Sequence, residues 1–331
     1  MEIEDLLVNF VSQHSKKPTI IMTIGGHQLQ DLHVEDLDLD HNILILDQSS
    51  YHCDMIKYIE RALTILPPDR FIVLSSDYSY YKQHHPNIVY FPVYLFQLLK
   101  NPTLKHYNMQ ASRRYPLQCL SLNPWFHKTL NIIKLSQYPW FDKCLKSFYW
   151  ADPPNCSASN QHLIDSVLPQ LTQKERDIID RLPLPIKVDL PNEPIVAGWD
   201  CVSNSSRAHA NCYIDYVLES VINDHFVSEK IWKPIFSGQL FLTLGPPGLI
   251  KHLEDIGIDV FRDIIDHARY DHVVDLREKI DIILGLIDDL LCSDLEQIWH
   301  DTYQRRLHNF NLLHNPTFHQ LLSQDFIDRI S

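Results

Sequence analysis

Arg70-Phe71-Ile72-Val73-Leu74-Ser75-Ser76-Asp77 is apolar without alternation. A strand with one wet face alternates apolar and polar residues, whereas a strand buried on both faces reads as a continuous apolar run. Three more runs of this kind surround it: Thr19-Ile20-Ile21-Met22-Thr23-Ile24, closed by Gly25-Gly26; Asn42-Ile43-Leu44-Ile45-Leu46-Asp47; and Asn87-Ile88-Val89-Tyr90-Phe91. Between the second and third runs, over residues 51–65, Met55, Ile56, Ile59, Ala62 and Leu63 recur at helical spacing. Buried strands separated by helices predict a parallel sheet covered on both faces. Residues 1–110 therefore read as a Rossmann-like α/β domain.

The polar stretch from Asn101 to Arg114 has no strong apolar period and is placed as the linker. A second domain, residues 115–331, repeats the strand–helix alternation. Its predicted strands are Leu117 to Leu122, running into Asn123-Pro124, then Tyr213 to Leu218 and Leu240 to Leu244. Residues 125–149 have helical character broken at Tyr138-Pro139, residues 151–160 read as a loop, and a polar helix is expected over 171–182. Pro183, Pro185, Pro191 and Pro194 mark an extended, irregular segment. Leu249 to Ile256 predicts a short helix. Asp275 to Leu291 predicts a longer one, with Ile280, Ile283, Leu284, Ile287, Leu290 and Leu291 on one face. Residues 294–330 read as two further helices around Asn315-Pro316. No internal repeat is evident.

The 331 residues, 45% of them hydrophobic, suffice for two cores. No apolar run approaches the roughly 20 residues that span a bilayer. The acidic start, Met1-Glu2-Ile3-Glu4-Asp5, lacks the basic and apolar regions of a signal peptide, so a soluble, cytoplasmic enzyme is the expectation. Seven cysteines, an odd number without a CxxC pair, argue against a disulfide scaffold or a zinc cluster. A net charge of −13 argues against a protein that grips nucleic acid through its phosphates; the densest basic spots are pairs such as Arg113-Arg114. No GxGxxG or GxxxxGK[ST] run occurs, so any nucleotide is held without those loops. Asp36-Leu37-Asp38-Leu39-Asp40 reads either as a pair of carboxylates for Mg²⁺ or Mn²⁺ or as a solvated acidic loop, and the loop is favoured. His84-His85, His252, His267 and His272 lack ligand spacing, and no metal or other cofactor is expected.

Phe226-Val227-Ser228-Glu229-Lys230-Ile231-Trp232-Lys233-Pro234-Ile235 carries the chemistry. Ser228 is a good helix N-cap, and a helix starting there aims free N–H groups and a positive dipole end at whatever lies in front. Lys230 adds a full charge, which suits a diphosphate, and Glu229 can accept hydrogen bonds from sugar hydroxyls. The alternative is a surface helix with an ordinary first-turn glutamate. Pro234 leaves two further options: a kinked helix, or a first turn separate from the rest of the helix. Glu219, Ser228 and Gly245 fall at predicted carboxyl ends of strands, where ligands of open α/β sheets bind.

Glu219, the ten-residue gap, Phe226 to Trp232, Gly238 and Leu244-Gly245-Pro246 together resemble the donor-binding motif of the α1,3-fucosyltransferases and of related bacterial and phage glycosyltransferases. The likeness spans about 40 residues. Cys119 to Lys128 is similar to the segment that opens the donor domain in such enzymes, with Asn123 in its loop and Lys128 where an arginine usually reaches the diphosphate. Departures are Ser220 for Asn, Phe226 for Tyr and Lys128 for Arg, the last exchanging a bidentate fork for a point charge.

The resemblance implies an α/β enzyme of GT-B-like fold, two Rossmann-like domains facing a central cleft. It implies metal-independent, inverting transfer of a sugar from a nucleotide-diphosphate sugar to an acceptor hydroxyl. Lys128, Asn123, Glu219, Ser228, Glu229, Lys230 and Gly245 would bind the donor. A carboxylate of the first domain would deprotonate the acceptor. Asp47 and Asp77 end predicted strands and are the candidates, the alternative being turn or helix-cap residues. The segment Asp266 to Asp271 either lies near the donor sugar or is an ordinary polar loop. The acceptor is left open among a saccharide, a protein and a modified nucleic-acid base. Rival readings are a degenerate binding module and an α/β hydrolase, the latter without a GxSxG elbow.

Overall fold

Four parallel strands of the first half pair in the order of the chain. The computed structural model describes residues 11, 13, 19–24, 42–47, 71–75, 88–99, 109–150, 160–187, 206–222 and 225–330. Strands β1 (Thr19–Ile24), β2 (Asn42–Asp47), β3 (Phe71–Ser75) and β4 (Ile88–Tyr90) form one sheet in the order β1-β2-β3-β4. Ile43 opposes both Ile20 and Phe71, and Leu46 opposes Thr23 and Leu74, so the apolar runs align along the ladder. Helix α1 (Val93–Leu99) follows, with Leu95 and Leu98 fully buried. The helix expected over residues 51–65, the Asp36–Asp40 run and His84-His85 lie outside the described residues.

The chain divides into two compact units. One takes Met1–Lys100, Asn223–Glu229 and Leu313–Ser331; the other takes Asn101–Ile222 and Lys230–Leu312. In the first unit Phe91 stacks on Phe96 with centroids 4.9 Å apart and meets Phe326 edge-on at 5.4 Å. Phe226 meets Tyr94 edge-on at 5.6 Å.

The second unit carries its own parallel sheet, of β5 (Tyr115–Leu120), β6 (Leu145–Ser147), β7 (Cys212–Leu218) and β8 (Leu240–Leu244), in the order β6-β5-β7-β8. The α/β class expected from the sequence, with two Rossmann-like units, is the class observed. Every residue of β7 and β8 is buried, Asp215 and Thr243 included, as strands covered on both faces are. Helices α2 (Phe126–Leu135), α3 (Gln161–Val167), α4 (Gln173–Ile179), α5 (Ser206–Asn211), α6 (Glu229–Ser237), α7 (Leu249–Asp255), α8 (Leu276–Leu291), α9 (Leu295–Asp301) and α10 (Tyr303–Leu313) alternate with these strands or follow them. The last two helices, α11 (Pro316–Leu322) and α12 (Gln324–Ile330), belong to the first unit.

Two sequence expectations need correction. Residues 125–149 are not helical throughout: α2 ends at Leu135, a single 3-10 turn spans Phe141–Lys143, and Leu145–Ser147 is the outer strand β6. Three residues, one of them a lysine, are too few to display a strand period. Residues 294–330 form four helices rather than two. The expected break at Asn315-Pro316 is there, Asn315 capping α11 by accepting from Thr317 N; the two further breaks fall at Thr302, between α9 and α10, and at Ser323, between α11 and α12.

Arg113 and Arg306 are structural. Their guanidiniums lie 4.5 and 3.3 Å from the ring centre of Trp299, which is fully buried. Arg306 donates to the carbonyls of Met109, Gly238 and Trp299 at 3.0, 3.1 and 2.6 Å. Burial, followed by the charge of Arg113, pulls its basicity down to about 9. A second buried network joins Gln118 to Asp215 at 2.7 Å and Asp215 to His209 at 3.1 Å within the sheet layer. Among the described residues, no helix is long and apolar enough to cross a membrane.

Candidate functional site

The two sheets differ where a ligand is concerned. In β1-β2-β3-β4 each strand lies beside its predecessor, so the described order never reverses. In β6-β5-β7-β8 the chain leaves β5 to one side for β6 and returns to the other side for β7. The carboxyl ends of β5 and β7 thus flank a topological switch point, where open α/β sheets hold their ligands.

The residues gathered there are those of the two sequence segments. Beyond β5, Thr129 fixes the start of α2: its N–H donates to Trp125 O at 2.8 Å and its hydroxyl to Pro124 O at 3.1 Å. This turn places His127 and Lys128, both buried, at the head of the helix, while Asn123 stays half-buried in the loop. His127 Nε2 donates to the carbonyl of Glu219, at the end of β7, over 3.0 Å. That bond crosses the switch point. A carbonyl can only accept, so Nε2 carries the proton. Burial, then the charge of Lys128, pulls the basicity of His127 down to about 3, with Lys230 acting in the same direction. The imidazole is therefore neutral at physiological pH, with Nδ1 unprotonated. Both lysines act on this one ring, which locates them at one site.

Glu219 is fully buried. Its N–H donates to Leu244 O at 3.1 Å, tying the ends of β7 and β8, and its carboxylate accepts from Ser220 N at 3.3 Å. Lys230 Nζ donates to Ser220 Oγ at 2.7 Å, so the ten-residue spacing of the motif closes into a direct contact. The contact is made by the position where the resembling motif has asparagine. Gly245 stands against the same group: a Cβ there would meet Leu249 Cδ2 at 2.7 Å, Thr243 Oγ1 at 3.1 Å and Glu219 Cγ at 3.3 Å. A side chain at this position would force Leu249 aside and press on Thr243 and Glu219.

Helix α6 is not the surface helix of the alternative reading. From Ile231 to Ser237 every residue is buried, and only Glu229 and Lys230 are half-exposed. Ser228, itself buried, directly precedes it. The helix runs through Pro234 without interruption to Ser237. Gly238, at φ 65°, ends it: Gly238 N donates to Ile235 O at 3.2 Å and Gln239 N to Pro234 O at 2.8 Å, the Schellman arrangement. Buried along its body and accessible at its first turn, α6 presents its positive end and Lys230 together.

Asp271 does not stand free for a sugar. Its carboxylate accepts from Ile250 N at 3.1 Å and Lys251 N at 3.3 Å, capping α7. His267 is likewise committed, Nε2 donating to Val260 O at 2.7 Å and Nδ1 accepting from Tyr270 Oη at 2.6 Å. Burial holds its basicity down to about 4. Of the two candidate bases, Asp47 is the last residue of β2, opposite Ile24, and Asp77 lies outside the described residues. Asp47, Ser228 and Glu229 belong to the first compact unit, and Asn123, Lys128, Glu219, Lys230 and Gly245 to the second. His127 and Lys279 escape the reading of the sequence. The former stands inside the Cys119–Lys128 segment, and the latter is hidden as one polar residue of an amphipathic helix. Among the described residues no three His, Cys, Asp or Glu side chains gather as for a metal ion.

The site so defined is a cluster of polar and cationic side chains at the switch point of a parallel α/β unit. Neither a protein-family model nor a curated protein sequence matches the chain. Solved structures similar to it include the following two. One is the DNA-modifying enzyme β-glucosyltransferase, determined with and without uridine diphosphoglucose: 12% identity, TM-score 0.42, covering 92% of this chain and 84% of that one. The other is a mutant of T4 phage BGT in complex with UDP-glucose: 11% identity, TM-score 0.43, covering 93% of this chain and 74% of that one.

Proposed function

We propose that the protein is a glycosyltransferase that moves a sugar from a nucleotide-diphosphate sugar to an acceptor hydroxyl, without a metal ion and with inversion. The observation that carries this reading is the Lys230–Ser220 contact beside Lys128 and the neutral His127, at the switch point of the second sheet. Breaking a glycosyl–diphosphate bond leaves charge on the departing phosphate, and fixed cations with helix N–H groups stabilise it. Lys230, Lys128 and the first turn of α6 supply that stabilisation. Glu219 and Glu229 accept from sugar or ribose hydroxyls, Asn123 and Ser228 line the donor, and Gly245 leaves room beside Glu219. A carboxylate of the first unit, Asp47 or Asp77, takes the acceptor proton.

The test is release of nucleoside diphosphate from a panel of UDP-, GDP- and CDP-sugars, beginning with UDP-glucose. Acceptors are a saccharide, a protein and DNA bearing a hydroxylated base. Lys230→Ala is expected to reduce turnover by at least 100-fold while the far-ultraviolet spectrum and melting temperature stay near those of the parent. Undiminished turnover in the folded variant removes Lys230 from the mechanism. A parent protein that binds a nucleotide sugar yet never turns it over favours the binding module.

A further inference from the structure

Lys279 lies on the buried side of α8, among Ile280, Ile283 and Leu284, and is only 4% exposed. An ammonium in such surroundings is costly unless it is bonded. It donates to Gly245 O at 2.8 Å and, at a longer 3.4 Å, to Asp271 O. Neither acceptor is a carboxylate, and an ammonium has three N–H groups for these two bonds. The Asp271 carbonyl also accepts from Gly248 N at 3.1 Å, so Lys279, Asp271 and Gly248 together close the turn between β8 and α7. That turn begins at Gly245, whose Cβ position is 3.3 Å from Glu219 Cγ.

We propose that Lys279 is a positioning residue of the nucleotide-sugar site, holding the Gly245 carbonyl so that the turn keeps its place beside Glu219 and adding positive charge behind it. This rests on the reading of the cluster as a diphosphate site. The charged and titratable groups on the elements around it are Asp271 ahead of the helix, Glu219 on β7, and His127, Lys128 and Lys134 on α2. Lys134 is already paired with Asp281 at 2.5 Å. Burial pulls the basicity of Lys279 down to about 8, with Asp271 opposing. Above that pH the side chain is largely neutral in the free protein, and a bound diphosphate recharges it.

The experiment is calorimetric titration of the full chain with UDP, GDP and CDP at pH 8.5, in two buffers of different ionisation heat, together with KM and kcat. The parent is expected to take up part of a proton on binding. Lys279→Met should take up none and bind at least tenfold more weakly, with KM raised and kcat little changed. Lys279→Arg, always charged, should also take up none but bind within about threefold of the parent. Affinity and proton uptake unchanged in Lys279→Met overturn the proposal while the diphosphate site stands. If Lys279→Met does not fold, the other two proteins decide: absence of uptake by the parent, or equal uptake by Lys279→Arg, overturns it. A parent that binds none of the three nucleotides overturns the diphosphate site, and this proposal with it.

Discussion

His127 is the residue on which the second sheet's polar cluster turns. A histidine beside a lysine has no distinctive spacing in the sequence; its meaning comes from the bond to the Glu219 carbonyl, 92 residues away. Its proton equilibrium yields a prediction. The unfolded chain protonates near the ordinary value of 6.5, the folded one only near about 3. In between, the unfolded state holds more protons, so stability is lost as pH falls from 6.5 towards 3. His267, held to about 4, acts in the same sense. Urea unfolding of His127→Asn and parent between pH 7 and pH 4 isolates the first contribution. The loss on acidification should be shallower in the variant, by on the order of 1–3 kcal/mol. Parallel curves for the two proteins would mean that His127 is not held neutral. Lys128 and Lys230 were legible as cations, but their action on one buried ring was not, since burial is a property of packing.

Elements were legible where their period was long. The continuous apolar runs marked β1 to β4, β7 and β8 nearly to the residue, because an unbroken apolar run is the pattern that parallel strands leave. β6 was lost in a helical reading, since its Leu-Lys-Ser carries no period, and with it went the strand order that creates the switch point. The helix that follows Ser228 was legible in the sequence, whereas its burial was not. Asp271 illustrates the limit of reading a polar loop: its segment, Asp266 to Asp271, read either as a neighbour of the donor sugar or as an ordinary loop, and in the fold Asp271 caps α7 by accepting from Ile250 N and Lys251 N. Asp271→Ala leaves those donors without their anchor. A loss of about 1–3 kcal/mol is expected, read as a lower urea midpoint at unchanged slope. A midpoint within error of the parent's would mean that the cap contributes nothing.

At the scale of the molecule, two parallel sheets share one chain but not one role. The first, with its strands in chain order, offers an acidic strand end at Asp47; the second, with its reversal between β5 and β7, offers the cationic cluster. The C-terminal helices α11 and α12 join the first unit, a return of the chain that no local sequence signal announces. The net charge of −13 makes the local gathering of Lys128, Lys230 and Lys279 at one strand edge the more specific. We propose that these strand ends of the second sheet bind a nucleoside diphosphate. Hydrogen exchange of the protein with and without a saturating nucleoside diphosphate tests it most directly. Slowed exchange is predicted for the amides from Trp125 to Thr129, at Glu219 and Ser220, and from Glu229 to Trp232. Protection confined to the first sheet, or none at these three segments while the nucleotide is bound, would contradict it.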